Sequence, residues 1–313
     1  MSHSAVKWGV VSTIKAEAAE ILTFAAHYLD AGAHRLFLYL DAPCPDAYPL
    51  LKAHPKIRVV DCDDRYWQQK GRPARHQVRQ ASNANRAYRR QAKDVSWLLH
   101  CDVDEFLWSD SLPASRLAAL PPETLCARVR PVEALAGGDG TAFKGYVAPA
   151  RRGGPADQLY PRFGRVLRGG FLSHVQGKLF VRTGIDGLDL RIHNAFLGET
   201  ENPGAAELGG MELCHFHAAD WQSWISHYRY RLQKGSYRAE LAPARPHEPG
   251  RITTHQLLSS IESDQGEAGL RTFFDEVCAD SPDLRDRLRA AGLLKIRKLD
   301  LDRKRRKHFP ESG

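Results

Sequence analysis

The residues with the clearest chemical content are three acids inside one short run, Val95-Ser96-Trp97-Leu98-Leu99-His100-Cys101-Asp102-Val103-Asp104-Glu105-Phe106-Leu107. An apolar stretch that reads as a buried strand stops at the acids, and an apolar pair follows them. Side chains two apart in an extended chain lie on one side. An extended reading therefore sets Asp102 and Asp104 together and turns Val103 back to the core. Paired carboxylates where a central strand ends make a hard oxygen site suited to Mg²⁺ or Mn²⁺. Open α/β sheets also take ligands beyond the carboxyl ends of their strands. The plainer reading of an Asp-x-Asp is a helix cap beside solvated acids.

Other residues of the right type are spread along the chain. His215 offers an imidazole to the same ion, with His217 as its competitor; the alternative is a pair of core histidines beside Trp221 and Trp224. Lys178 and Arg182 lie four apart in a strand candidate that opens near His174, hence on one face, where two cations could hold diphosphate oxygens. Lysine guarding a sheet edge is the competing explanation. Attack by an acceptor hydroxyl needs a general base. Glu133 is the first candidate because it follows an apolar strand and precedes Gly137-Gly138-Asp139-Gly140; Asp139 and Asp157 stand behind it. His193 is placed in a loop from which it could reach an acceptor.

The elements that must position these residues follow from hydrophobic periodicity. Residues 7–13, 35–40, 57–60 and 96–101 read as strands, and 17–31, 46–54 and 75–92 as helices between them. This alternation predicts a largely parallel sheet with helices on both faces. Residues 113–210 look irregular, with strands expected at 125–132 and 177–182. From Glu212 onward the pattern reads as helical, broken near 242–250 by prolines. The expected division is a catalytic domain over 1–240 and a helical extension over 241–313.

Composition narrows the class. The chain has 313 residues, 42% hydrophobic and 26% charged, enough to bury a sizeable core. No apolar run approaches the ~20 residues that span a bilayer, and no leader peptide is evident. The six cysteines are scattered without Cys-x-x-Cys spacing, which disfavours zinc and a disulfide framework and points to a reducing cytoplasm. Glycines do not form a dinucleotide fingerprint, and Gly177-Lys178 lacks the upstream glycine of a phosphate loop. Of the net charge of +8, most is carried by residues 295–307, where eight Lys and Arg cluster. The remainder is nearly balanced, so no nucleic-acid surface is expected. The basic end is expected outside the catalytic core, in weak contact with an anionic membrane surface; a solvated terminus is the alternative.

The run from Asn85 to Leu107, with Trp97 ahead of Asp102-Val103-Asp104-Glu105-Phe106, resembles the signature of GT-A-fold glycosyltransferases of the family-2-like and family-92-like branches. The segment 20–41 and the segment Leu213-Cys214-His215-Phe216-His217 are similar as well. The resemblance implies a Rossmann-like, mostly parallel sheet with an irregular acceptor region and C-terminal helices. It implies Mn²⁺ or Mg²⁺ on Asp102, Asp104 and His215, with Asp104 also catalytic beside Glu133. It places a nucleoside-diphosphate sugar, UDP-linked by preference, near Thr13, Lys15, Asp41, Asp102, Lys178 and Arg182. His174, His193, His217 and Lys234 would face a glycan or lipid-linked acceptor. The implied reaction is inverting hexosyl transfer in cell-surface polysaccharide or glycolipid synthesis, by a cytoplasmic protein peripheral to the inner face of the membrane. Pro43-Cys44-Pro45-Asp46 departs from the usual Ser-x-Asp after the second strand. A nucleotidyl or phosphoryl transferase, or a noncatalytic binder of sugars or polyanions using the aromatics from Trp221 to Tyr237, are the competing functions.

Overall fold

The computed structural model describes residues 6–69, 71–147, 155–164, 166–167, 169–233 and 254–310. The elements in chain order begin β1 (Trp8–Ile14), α1 (Ala18–Asp30), β2 (Arg35–Leu40), α2 (Tyr48–Ala53), β3 (Ile57–Asp61), α3 (Asp64–Trp67), α4 (His76–Arg90), β4 (Trp97–His100) and β5 (Glu105–Ser109). Next come α5 (Pro113–Ala118), β6 (Cys126–Ala134), β7 (Ala142–Lys144), α6 (Pro155–Leu159), β8 (Lys178–Arg182), β9 (Leu188–Leu190), β10 (Ala195–Leu197), β11 (Thr200–Glu201) and β12 (Ala205–His215). The chain closes with α7 (Trp221–Gln233), α8 (Thr254–Val277), α9 (Pro282–Ala290), β13 (Leu294–Ile296) and α10 (Leu301–His308).

The described residues divide into two compact units. One is drawn from Met1–Pro131, Gln176–Leu213 and Leu299–Gly313, the other from Val132–Val175 and Cys214–Lys298. The boundary expected at 240 is therefore not the one the packing makes: the chain leaves the first unit, returns, and comes back once more at its C-terminal end.

In the first unit, β3, β2, β1 and β4 lie side by side in parallel. Strand β1 is buried along its whole length, as a central strand covered on both faces must be. Helix α1 starts where the Glu20 carboxylate accepts the Glu17 backbone N–H, and Gly32 follows its end with φ of +90°. Helix α4 turns Ala84, Ala87 and Tyr88 inward, together with the polar Gln80 and Asn83. Strand β8 then runs antiparallel to β4, with Leu99 opposite Phe180 and Trp97 opposite Arg182, and the first half of β6 pairs with β8. The expectation of a mostly parallel sheet with flanking helices is met in this half. In the second unit, β7 pairs antiparallel with the last residues of β6 and with β13. Its core gathers Tyr160, Trp224, Tyr228, Leu270, Phe273 and Phe274.

Three expectations are corrected. Residues 205–215 form strand β12, paired with β5, and helix begins only at Trp221. Of the aromatics from Trp221 to Tyr237, Trp224 and Tyr228 stack inside the second unit's core and form no sugar-binding surface, Tyr230 is exposed, and Tyr237 lies outside the described residues. The basic end is folded: Lys295 lies in β13, and α10 packs on α1. There the Asp30 carboxylate accepts from Lys307 Nζ at 2.6 Å, and Lys304 Nζ lies 3.4 Å from His27 Nδ1. Burial, with Lys304 beside it, pushes His27 down to about 3, so the ring is neutral at pH 7. Phe309 closes the contact, buried against the ring of His54. No helix among the described residues is long and apolar enough to cross a membrane.

A folded clasp predicts that Phe309→Ala lowers unfolding free energy by about 3 kcal/mol, the usual cost of truncating a buried aromatic. Urea denaturation measures it; a solvated tail would leave the midpoint unchanged.

Candidate active site at the mouth of β1, β2 and β4

The acids after β4 do not continue as a strand. The chain turns at once, with the Glu105 N–H donating to the Asp102 carbonyl at 3.1 Å, and Glu105 Oε2 accepting from the Asp102 N–H at 2.8 Å. The alternation expected for an extended chain therefore fails. Val103 is half-exposed, and Asp104 sits half-buried on the turn.

Asp102 is the hub. Its Oδ2 lies 2.7 Å from Lys178 Nζ, and its Oδ1 accepts from the Gln80 side-chain amide. Lys178 has no exposed side-chain surface and stands 3.5 Å from Glu105 as well, whereas the Asp102 side chain keeps 32% of its surface open. Burial alone would raise the Asp102 carboxyl; Lys178, with His100 and His193 nearby, holds it below the ordinary carboxylate range instead. Burial opposes the Lys178 charge, and Asp102 and Glu105 more than offset that, raising its pKa.

Backbone register explains why Lys178 reaches this point. Because β8 is antiparallel to β4, its first residue falls beyond the end of β4, beside the acid turn. Gly177 precedes it with φ of +71°, and a Cβ there would collide with the Val129 carbonyl oxygen. The Gly177 carbonyl accepts from His193 Nδ1 at 2.9 Å, which leaves Nε2 as the basic atom of that ring. Arg182 shares the face of Lys178 but lies four residues along, about 13 Å at strand spacing. It binds the Thr124 and Pro121 carbonyls and covers Trp97 at 4.4 Å. The structure does not bring it to Asp102.

His100, the last residue of β4, is buried; its Nδ1 lies 3.4 Å from the Arg191 carbonyl, and its Nε2 has no hydrogen-bond partner among the described residues. Burial and the Lys178 charge push its pKa down to about 4. At the end of β1, Thr13 Oγ1 accepts from Asn83 Nδ2 at 3.1 Å, and Lys15 is exposed just beyond. At the end of β2, the Asp41 carboxylate is buried and accepts from Arg79 Nε and Nη2 at 2.8 and 2.6 Å and from Arg72 at 3.0 Å. His76 Nδ1 stands 3.1 Å away. Burial would raise the Asp41 carboxyl, but His76 and Arg79 hold it below its ordinary range. The first turns of α4 thus bridge the mouths of β2 and β4, Arg79 on one and Gln80 on the other. Periodicity gives the signal for Gln80 and Asn83: they are polar residues on the inward stripe of α4. Arg72, His76 and His100 carry no comparable mark.

The remaining candidates lie in the second unit. His215 ends β12, with its ring centroid 6.0 Å from that of buried His217. Glu133 is buried, 3.0 Å from Lys144 Nζ, and accepts from the backbone N–H groups of Leu172 and Ser173. Burial works against its charge, yet Lys144, His217 and these N–H groups hold its carboxyl down at about 2. A carboxylate so paired is a poor proton acceptor near neutrality, which corrects its expected role as base. Asp139 is bonded to Thr141 in its turn, Asp157 lies in α6, and His174 is exposed. Lys234 lies outside the described residues. Among the described residues no group of three or more His, Cys, Asp and Glu side chains could hold a metal ion.

No family model matches the chain, and no curated protein matches it in sequence. Solved structures similar to it include the galactosyltransferase LgtC in complex with donor and acceptor sugar analogs, 16% identical with a TM-score of 0.28. An active-site mutant of LgtC is 17% identical with a TM-score of 0.27. In both, the match covers 56% of this chain and 57% of the other. HddC from Yersinia pseudotuberculosis is 10% identical, covering 70% of this chain and 96% of its own, with a TM-score of 0.33. Likenesses this distant decide neither fold nor activity.

The Glu133–Lys144 pair yields a prediction. Glu133→Gln should destabilise the protein by about 3–5 kcal/mol at pH 7, because it leaves Lys144 charged and buried. The Glu133 carboxyl is lowered from 4.5 to about 2, so its contribution is complete above pH 4.5 and lost as pH falls towards 2. Chemical denaturation of both proteins across that window should show the gap narrowing; a constant gap would contradict the assignment.

Proposed function

We propose that this chain is a glycosyltransferase that moves a sugar from a nucleoside-diphosphate donor to an acceptor hydroxyl, using the mouth of β1, β2 and β4. The observation that carries this reading is the convergence of Asp102, buried Lys178 and the basic first turns of α4 over those strand ends. A diphosphate suits such a place: a helix N-terminus favours anions, and Arg72, His76 and Arg79 surround it.

The donor set fits a hard divalent ion of the Mg²⁺ or Mn²⁺ type. Such ions commonly bind through one or two carboxylates and complete their shell with water and substrate phosphates, and the turn offers Asp102 and Asp104. Asp104 would hold the ion, with Asp102, tied to Lys178 and Gln80, beside it. When bound, the ion would supply Lewis-acid stabilisation of the departing diphosphate. Lys178 keeps Asp102 ionised and fixed, and Gln80 locks its rotamer. Inversion needs a base, which we assign to His193, whose Nδ1–H is committed to Gly177.

A two-metal nucleotidyl or phosphoryl transferase is the weaker reading, for it wants a further bridging acid. A lipid-linked acceptor remains part of the proposal because Arg303, Arg306 and Lys307 stay exposed on α10, where an anionic membrane surface could attract them.

Nucleotide-sugar hydrolysis by the full chain, measured with a panel of donors and Mn²⁺, should be detectable and should stop in excess chelator. Asp104→Asn should lower it about a hundredfold, the scale of losing one charge-stabilising group, with the circular dichroism spectrum unchanged. Undiminished turnover in chelator would contradict the metal assignment; no hydrolysis of any donor would contradict the transferase.

A further inference from the structure

A trough of about 860 Å³ runs along α4 on the side of Gln77, Ala81 and Arg86 and reaches Asn83 of the inward stripe. Tyr66 and Trp67 of α3 form one wall. The hairpin β9–β10, with Asp189, Arg191 and Phe196, forms the other. The hairpin is fixed by Asn85, whose side-chain amide donates to the Leu190 carbonyl at 2.8 Å and accepts from the Leu190 N–H at 2.9 Å. Gln176 and His193 lie at the lining's junction with the active site, because His193 also bonds Gly177 and contributes to the field at Asp102.

The lining is cationic in excess. Arg86, Arg89, Arg90 and Arg191 face a single acid, Asp189, which pairs with Arg191 at 2.8 Å and Arg89 at 3.4 Å. Arg86 and Arg90 have no carboxylate partner among the described residues, and both are exposed. A guanidinium presents a fork that matches carboxylate or phosphate oxygens. The aromatic walls are already engaged: Arg86 covers the Tyr66 ring at 4.7 Å, Trp67 is buried, and Arg191 lies 5.9 Å from the Phe196 ring. Bases of a single-stranded nucleic acid need open aromatic faces to stack on, and the trough has few. Gln77, Ser82 and Asn194 line it too, and their amides and hydroxyl suit sugar hydroxyls.

We propose that this trough binds an acidic oligosaccharide, its anionic groups on Arg86 and Arg90 and one end delivered to His193. That the bound saccharide is the acceptor rests on the transferase reading; that it binds does not. Calorimetric titration of the full chain with hexagalacturonate, neutral maltohexaose and hexauridylate tests it. The acidic sugar should bind, the neutral one should not, and the nucleotide oligomer should bind more weakly than the acidic sugar. Arg86→Gln/Arg90→Gln should weaken hexagalacturonate about tenfold, the scale of two exposed ion pairs, and Arg90→Gln alone by less. Donor hydrolysis should be unchanged in both, since neither residue belongs to the active site.

Affinity for hexauridylate equal to that for hexagalacturonate, or no weakening in the double variant, would overturn the proposal. Hexagalacturonate binding that follows these rules without any donor hydrolysis would leave the trough standing and overturn the transferase. Donor hydrolysis without saccharide binding would do the reverse.

Discussion

A buried ammonium must be paired, and in this protein that requirement organises the active site. Lys178 has no exposed side-chain surface, and an unpaired charge there would cost several kcal/mol. Among the described residues the acid turn after β4 supplies its partners, Asp102 at 2.7 Å and Glu105 at 3.5 Å. The turn, the start of β8 and the glycine before it are therefore fixed together. A different φ at Gly177, or a register shift of β8 by one residue, would move the ammonium away from its counter-ions. Asp102 is held ionised with both oxygens occupied, and Gln80 ties the same carboxylate to α4. Through α4 the constraint extends to Asp41 at the mouth of β2, a buried carboxylate held by the guanidinium groups of Arg79 and Arg72. The mouth of the sheet is thus rigid and electrostatically balanced before any ligand arrives, which is the condition for an electrostatic catalyst.

Much of the parallel half was legible in the sequence because its strands are continuous apolar runs and its helices carry a clear 3.6-residue stripe. β1, α1, β2 and β4 follow that logic, whereas β3 carries the exposed Arg58 and α4 is a largely polar helix. The two-residue alternation at Asp102 and Asp104 misled, since it presumes an extended chain, and nothing local signals that Glu105 folds back to accept the Asp102 N–H. The same limit explains Lys178 and Arg182. Their shared face can be read from spacing, but which of them lies at the mouth depends on the antiparallel direction of β8, a long-range fact.

Strand β12 was hidden for a different reason. Its sequence, Ala205–His215, alternates poorly and contains Gly209 and Gly210, so it carries little strand propensity of its own and depends on pairing with β5. Glu133 looked reactive because it follows an apolar strand and precedes a Gly-rich loop. Its partner Lys144 lies eleven positions on, across the β6–β7 pairing, and the pair became visible only once the two strands met. The basic C-terminal run shows the complementary error: charge density suggested an end outside the catalytic core, drawn to an anionic surface, while Phe309 and the Asp30 contacts decide that α10 is folded onto α1.

The most direct test of the account is an anomalous-scattering experiment on crystals grown with Mn²⁺ and UDP. A manganese peak should lie against the Asp104 carboxylate, with the diphosphate over the first turns of α4 and Lys178 still paired with Asp102. UDP bound with no peak at Asp104, or bound away from the ends of β1, β2 and β4, would contradict it.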